Sequence, residues 1–125
     1  MSQRTAILIS CLKEEAKQIR TKARLDSRSV SNYLQKTIMR WVQFDEQLYA
    51  NFARYNVDPT VFARRVTLPR GPRAVILWRC SADESNRMRV AARRRGMTMS
   101  SFVRHCLRRT WSAAERLTRR KMAQS

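Results

Sequence analysis

The amino-acid sequence repeats itself at a spacing of 69 residues. Sliding the chain along itself by this distance aligns 4–42 with 73–111 without a gap, and ten of the 39 aligned positions are identical. Four of these identities are arginines, which are abundant here, so the shared register of the apolar positions is the stronger signal. Such a repeat predicts one small structural unit that occurs twice. Because a unit of about 45 residues buries too little surface to be stable alone, we expect the copies to pack together.

Each copy begins with a strand-like run followed by a helix. Residues 4–11 and 73–80 are rich in residues that favour strands. In the second copy, Ser81 and Glu84 have the spacing of a capping box at the start of a helix. Leu12 replaces that serine in the first copy, although Glu14 and Glu15 still suit the positive end of the helix dipole.

A turn and a second helix complete each copy. Gly96 can take the left-handed conformation that ends helices, and Ser27 occupies that place in the first copy. Ser29 and Thr98 are the predicted N-caps of the second helices. The apolar positions that follow have helical spacing, which predicts one buried face on each helix. They are Val30, Tyr33, Leu34, Ile38, Trp41 and Val42 in the first copy, and Met99, Phe102, Val103, Cys106, Leu107 and Trp111 in the second.

The segment 47–72 is predicted to connect the copies and to contain one short helix. Asp58 and Pro59 suggest the start of a short helix near 58–65, and the prolines and glycine of 69–72 favour an irregular approach to the second strand. Its aromatic residues are expected to pack on the core, with a protein-binding surface as the alternative; they are Tyr49, Phe52 and Tyr55. The predicted organisation is a first unit at 1–46, a connector at 47–72, a second unit at 73–118 and a basic tail at 119–125.

The charge of the chain favours a polyanionic partner. Lys and Arg total 27 against 9 acidic residues, for a net charge of +18. Residues 1–60 carry a net charge of +4 and residues 61–125 carry +14, so the second half should hold a nucleic-acid backbone more strongly. Charge alone leaves a basic solvated surface, anionic lipid and RNA as alternatives. No apolar run approaches the roughly 20 residues that span a bilayer, so no membrane association is expected.

The sequence offers little for catalysis or metal binding. Cys11, Cys80 and Cys106 form no CxxC pair, and His105, the one histidine, is expected at the surface. No serine–histidine–aspartate set, carboxylate pair or phosphate-binding glycine loop is present. We therefore expect no enzyme, no cofactor and no metal. The odd cysteine count and the absence of a signal peptide favour a reducing, cytoplasmic location, in association with the nucleoid.

The order of strand, helix, turn and helix resembles the ribbon-helix-helix family of the Arc and MetJ repressors. The residues that carry the resemblance in the first copy are 7–11, Glu14, Glu15, Ile19, Ala23 and 29–34. Their counterparts in the second copy are 76–80, Asp83, Glu84, Met88, Ala92, Gly96 and 98–103. The resemblance implies a mostly α-helical fold with a two-stranded antiparallel β-ribbon. It also implies that both strands come from one chain, which would make a monomeric pseudo-dimer that could assemble further on DNA.

This resemblance implies that the ribbon enters the major groove of double-stranded DNA. Since side chains alternate along a strand, the core face should hold Ile7, Ile9, Cys11, Ile76, Trp78 and Cys80. The opposite face supplies the base-contact candidates, which are Arg4, Ala6, Leu8, Ser10, Arg73, Val75, Leu77 and Arg79. Arg79 can pair with guanine, whereas the apolar members can contact thymine methyl groups. Family members usually have polar residues there, so the alternative is that Leu8 and Leu77 pack against a partner or an extra segment.

Phosphates should bind at the N-termini of the second helices, as in the family. The phosphate-contact candidates are Arg28, Ser29, Val30, Ser31, Arg93, Arg94, Arg95, Thr98, Met99 and Ser100. The run 93–95 and the basic tail are expected to add salt-sensitive, non-specific attraction. The expected function is transcriptional regulation or an accessory role in a conjugative relaxosome, as in the tandem members that serve conjugative or T-DNA transfer. The alternatives are a non-specific architectural protein and a protein-interaction module such as an antitoxin that neutralises a toxin. Besides DNA, the protein partner expected from these functions is a relaxase or a toxin.

Overall fold

The protein is mostly helical with a two-stranded antiparallel sheet. A computed structural model describes residues 4–58 and 66–124 of the chain. The elements are β1 (Arg4–Leu12), α1 (Lys13–Leu25), α2 (Val30–Arg54), β2 (Arg73–Ser81), α3 (Ala82–Arg94) and α4 (Met99–Ala123). Each element of the second half starts and ends 69 residues after its counterpart in the first half, which is the spacing of the sequence repeat.

The two strands pair with each other along their full length. The pairing is antiparallel and brings Leu8 opposite Leu77, which are equivalent residues of the repeat. Of the residues predicted to face the core, five are buried, namely Ile9, Cys11, Ile76, Trp78 and Cys80. Ile7 is partly buried and packs against the same core. The alternation predicted along both strands is therefore confirmed for the buried face.

Local signals in the sequence set the ends of the helices. Ser81 accepts from the N–H of Glu84 at 3.1 Å, while the Glu84 carboxylate accepts from the N–H of Ser81 at 3.0 Å, so the predicted capping box forms. At the start of α1 the side chain of Leu12 cannot accept a hydrogen bond. The Glu15 carboxylate accepts there from the N–H of Leu12 at 2.7 Å.

The turns after α1 and α3 use left-handed residues. Gly96 has φ of +67° and Ser27 has φ of +53°. The hydroxyls of Ser29 and Thr98 then cap α2 and α4, each accepting at 3.1 Å from the backbone N–H three residues further on. The predicted N-caps and the predicted glycine turn are confirmed.

One hydrophobic core lies between the ribbon and the four helices. Of the twelve apolar positions predicted along the second helices, nine are buried, and Val30, Trp41 and Met99 are partly buried. Burial of a large apolar side chain contributes about 1.5–3 kcal/mol, so this layer is a main source of stability. Two indoles bridge the layer: Trp111 donates to the hydroxyl of Tyr33 at 2.9 Å, and Trp41 donates to that of Thr110 at 2.8 Å.

The second helices are longer than their apolar stripes indicated. α2 runs to Arg54, into the segment predicted as a connector, and α4 runs to Ala123, so most of the predicted tail is helical. Tyr49 and Phe52 are partly buried, but Tyr55 is 69% exposed, so the prediction that Tyr55 packs on the core is wrong. The short helix predicted near 58–65 falls largely on residues 59–65, outside the described part of the chain.

Candidate nucleic-acid interface

The outward side of the ribbon carries the residues predicted to contact bases. We call this surface the exposed ribbon face. Seven of its members are exposed and Ser10 is partly buried; the seven are Arg4, Ala6, Leu8, Arg73, Val75, Leu77 and Arg79. Leu8 is 67% exposed, Val75 57% and Leu77 45%, which is unusual for large apolar side chains in a small folded protein.

The register gives the exposed ribbon face an apolar centre and charged ends. Leu8 and Leu77 form the central pair, flanked by the pairs Ala6–Arg79 and Ser10–Val75. Arg4 and Arg73 stand at the two ends, opposite Ser81 and Leu12. With a rise of about 3.4 Å per residue, these end positions lie about 14 Å from the centre. Arg79 is thus the cation nearest to the centre, and its repeat equivalent, Ser10, is uncharged.

The N-terminus of each second helix is fastened to the ribbon by a serine. The Ser31 hydroxyl accepts from the backbone N–H of Arg79 at 2.9 Å, and that of Ser100 accepts from the N–H of Ser10 at 3.0 Å. A two-stranded ribbon has two open edges, and these bonds satisfy one N–H on each edge. The phosphate contacts predicted for both serines involve their backbone N–H groups; their hydroxyls hold the helix starts next to the exposed ribbon face.

Both helix starts keep the features of an anion site. Ser29 and Thr98 are exposed and cap the N–H groups of Asn32 and Ser101. The N–H groups one and two residues after each cap have no partner within the helix, as at any helix start. These belong to Val30, Ser31, Met99 and Ser100. Neither first turn contains an acidic residue, so the positive end of each helix dipole is unneutralised.

The three consecutive arginines 93–95 have three different environments. Arg93 is exposed. The Arg94 guanidinium lies over the Tyr49 ring, 5.2 Å from its centroid. Arg95 is bound by the buried carboxylate of Asp45, to which its Nε donates at 2.9 and 3.1 Å. The hydrogen bond to Asp45 raises the pKa of Arg95. Arg95 is therefore engaged inside the protein and is not free for a phosphate in this conformation. Arg28, the remaining arginine candidate, is exposed.

A buried ion cluster beneath one end of the ribbon escaped the sequence reasoning. The carboxylate of Glu15, 2% exposed, accepts from Arg104 Nε at 2.7 Å and from Arg108 Nε at 2.6 Å. Arg104, 3% exposed, also donates to the carbonyl of Pro69 at 2.6 Å. Burial would raise the pKa of Glu15, but the Leu12 N–H and both arginines outweigh it and hold the pKa below its usual range. The available signal was Arg104 directly after the buried pair 102–103.

The histidine lies apart from the ribbon. His105 is partly buried rather than at the open surface as predicted. Burial lowers the pKa of His105, and the nearby Arg109 and Arg95 lower it further. At neutral pH it therefore adds no positive charge to the surface.

The described residues, 4–58 and 66–124, offer neither a membrane span nor a metal-binding cluster. No helix there is long and apolar enough to cross a bilayer. No group of three or more histidine, cysteine or acidic side chains in those residues could hold a metal ion. The three cysteines are buried free thiols.

Comparisons with known proteins add no relative. No protein-family model matches the chain, no curated protein matches it, and no solved structure matches its fold at a significant level.

Proposed function

We propose that the chain is a DNA-binding protein in which two ribbon-helix-helix units form a pseudo-dimer within one polypeptide. The observation that carries the proposal is the arrangement of a solvent-facing two-stranded ribbon with a serine-anchored helix N-terminus on each side. The pairing of Leu8 with Leu77 supports an approximate twofold axis through the ribbon, because these residues are equivalent in the repeat. The strand of each half forms its backbone hydrogen-bond ladder with the strand of the other half.

The dimensions of the ribbon suit the major groove. Two strands about 4.8 Å apart, with their side chains, fit a groove about 12 Å wide that also admits an α-helix. Arg79 would donate two hydrogen bonds to a guanine, while Leu8, Val75 and Leu77 would contact thymine methyl groups. The N–H groups at the starts of α2 and α4 would bind a phosphate on each side of the groove. These phosphate contacts position the ribbon, and the side-chain contacts distinguish bases.

The recognised site should be asymmetric. The cation of Arg79 has the uncharged Ser10 as its counterpart, and the second half of the chain carries most of the net charge. One half-site would thus be bound by a guanine contact and by a stronger electrostatic attraction between basic side chains and the DNA phosphates. This chemistry serves a promoter and a transfer origin equally, so the location of the target decides between a transcriptional regulator and a relaxosome accessory factor.

Selection of bound duplexes from a random pool, at two salt concentrations, tests the proposal. We expect an enriched motif with guanine in one half and thymine near the centre, together with a steep loss of affinity at higher salt. A steep salt dependence without an enriched motif in the selected DNA would indicate a non-specific architectural protein. Absence of duplex binding at low salt would reject DNA as the partner.

The apolar centre of the exposed ribbon face favours a second candidate, a protein partner seated on the ribbon. Leu8 is the most exposed of its large apolar residues, and apolar clusters of this kind often mark protein interfaces. Replacing the central thymines of the selected duplex by uracil removes their methyl groups and leaves the pairing unchanged. Weaker binding to the uracil duplex would support groove reading. Unchanged binding would favour a protein contact for the leucines.

A further inference from the structure

The two outer sides of the helical layer are closed differently. On one side α2 packs on α3 through two ion pairs. Asp45 pairs with Arg95, and Glu46 pairs with Arg87. The Nε of Arg87 lies 3.0 Å from a carboxylate oxygen of Glu46. On the other side the equivalent helices are α4 and α1. Here the first pair is replaced by Ala114 and Asp26, and the second by Glu115 and Gln18. Neither replacement can form an ion pair of opposite charges.

A groove is open where these ion pairs are missing. We call it the α1–α4 groove. It consists of two adjoining cavities of about 540 and 290 Å³, which share Lys22, Trp111 and Ala114 in their walls. Leu25 at the end of α1 and Leu117 on α4 line it, and they are 78% and 58% exposed. Beyond Trp111, every described residue of α4 is exposed, so the outer wall of the groove is an exposed helix face.

The floor of the groove offers apolar surface rather than hydrogen-bond donors. Trp41 and Trp111 line it, and the indole N–H of each is already bonded within the protein. A bound segment would therefore gain mainly by burying apolar side chains between the leucines and against the indole rings. A groove of this size and character suits the apolar face of a short amphipathic helix.

The rim of the groove is basic and selects the charge of the occupant. Lys22 of α1 and Arg119 of α4 line the same cavity from opposite walls, and Lys36 and Arg40 line the larger one. Four cations thus face the groove against the carboxylates of Asp26 and Glu115. A carboxylate entering between Lys22 and Arg119 would be attracted by both cations, as Glu46 pairs with Arg87 on the closed side. A second copy of this chain, with its net charge of +18, would increase the repulsion.

We propose that the α1–α4 groove is a docking site for an acidic amphipathic helix of a partner protein. No strand residue lines the groove, so the exposed ribbon face stays free while the partner is bound. The proposal rests on the open groove and its basic rim and does not depend on DNA being the ligand of the ribbon. Simultaneous binding of DNA and a protein would let this chain bring the partner to a chosen site.

This site is tested by selecting, from a displayed library of random 16-residue peptides, those that bind the intact protein. Enriched peptides should carry apolar residues at helical spacing and a net negative charge. For the best peptide, made synthetically, Leu117→Asp should weaken binding by about tenfold or more, as expected for a central apolar contact. The double reversal of Lys22 and Arg119 to glutamate should also weaken it. Met122→Asp, which places the same new charge on the same helix outside the groove, should leave affinity within about twofold.

Several results would overturn the proposal. These are no enrichment, enriched peptides without acidic residues, and binding that is unaffected by Leu117→Asp. A dimer in sedimentation equilibrium that Leu117→Asp abolishes would make a second copy the occupant. Two results together would make DNA the occupant of the groove. Duplex DNA would displace the peptide from the wild-type protein, and Leu117→Asp would weaken DNA binding. Circular dichroism of each variant checks the fold, which should be retained because Leu117, Arg119 and Met122 are exposed and Lys22 is only partly buried.

Discussion

The two halves of the molecule have helices and strands of equal length but secure the start of their first helices differently. In the second half, Glu84 accepts from its own N-cap, Ser81, and from the neutral amide of Gln35 at 3.0 Å. In the first half, where Leu12 occupies the cap position, Glu15 binds the charged side chains of Arg104 and Arg108. Gln35 and Arg104 are equivalent residues of the repeat.

This difference shows how a duplicated unit can acquire asymmetry without changing its fold. The hydrogen-bonded pair of Glu84 and Gln35 in the second half is partly exposed, whereas the ion cluster of the first half is buried and reaches the carbonyl of Pro69 ahead of β2. A buried ion pair contributes little net stability relative to an apolar replacement, but it is costly to break from one side. We infer that the cluster fixes one arrangement of the helices and of the approach to the second strand.

The largest expected effect comes from neutralising the two glutamates in turn. Glu15→Gln leaves the buried guanidinium of Arg104 without a counter-charge and should lower the free energy of unfolding by about 3–5 kcal/mol. Glu84→Gln removes the charge of a partly exposed carboxylate but keeps an oxygen that can accept from the N–H of Ser81, so it should cost about 1 kcal/mol. Chemical denaturation of both variants measures the comparison, with exposed Glu14→Gln as the control. Equal losses for Glu15 and Glu84 would contradict the asymmetry.

Acidic pH should remove the contribution of the Glu15 carboxylate to the free energy of unfolding. The pKa of Glu15 in the folded protein is held below the ordinary value of 4.5 by the Leu12 N–H and two arginines, which outweigh the opposing effect of burial. Its contribution is therefore full above about pH 4.5 and is lost as the pH falls through the lower pKa of the folded state. The stability difference between wild type and Glu15→Gln should shrink over that acidic range. A difference that does not vary with pH there would exclude a role for the charge.

The next largest difference in stability is expected between two neighbouring arginines of the run 93–95, Arg95 and Arg93. Arg95→Ala leaves Asp45, which is 1% exposed, as an unpaired buried carboxylate. We expect a loss of about 2 kcal/mol or more, moderated because the arginine side chain is partly exposed. Arg93→Ala should change the free energy of unfolding by less than about 0.5 kcal/mol. Thermal melts measure both. A destabilisation by Arg93→Ala as large as that by Arg95→Ala would show that the run acts as one charged face.

The ribbon offers a comparison of recognition rather than stability. Under the proposed function, Arg79→Ala should weaken binding to the selected duplex by about 1–3 kcal/mol, the usual value of a bidentate contact to guanine. Ser10→Ala, at the equivalent position, should have a smaller effect. Fluorescence anisotropy at constant salt, with a scrambled duplex as control, separates specific from general binding. Equal losses on the preferred sequence would remove the predicted asymmetry of the site.

The smallest expected difference is between the two serines that fasten the helices to the ribbon. Ser100→Ala breaks a partly buried bond to the N–H of Ser10 and should cost about 1 kcal/mol of stability. Ser31→Ala breaks an exposed bond to the N–H of Arg79, which water can replace, and should cost less. Amide hydrogen exchange at residues 10 and 79 reports each bond directly. Faster exchange at both amides in either variant would mean that the ribbon loosens as a whole.

Local sequence signals predicted much of the fold. The alternation of β1 and β2, the caps at Ser81 and Ser29, and the turn at Gly96 each depend on a few neighbouring residues. The ion pairs between Arg104 and Glu15 and between Arg95 and Asp45 join residues far apart in sequence. The position of Arg104 beside the buried residues 102–103 indicates burial but does not identify its partner. The ends of α2 and α4 were also missed. Leu48, Tyr49 and Phe52 continue the helical spacing of α2, whereas the last turns of α4 are exposed and carry no such stripe.

The central claim, that the ribbon and the two helix starts form the DNA-binding surface, is tested most directly by following backbone amide resonances during titration with the selected duplex. The claim predicts that the largest shifts occur at 4–10 and 73–79 in the ribbon and at 29–31 and 98–100 at the helix starts. Shifts concentrated in the basic end of α4, with the ribbon unchanged, would contradict it.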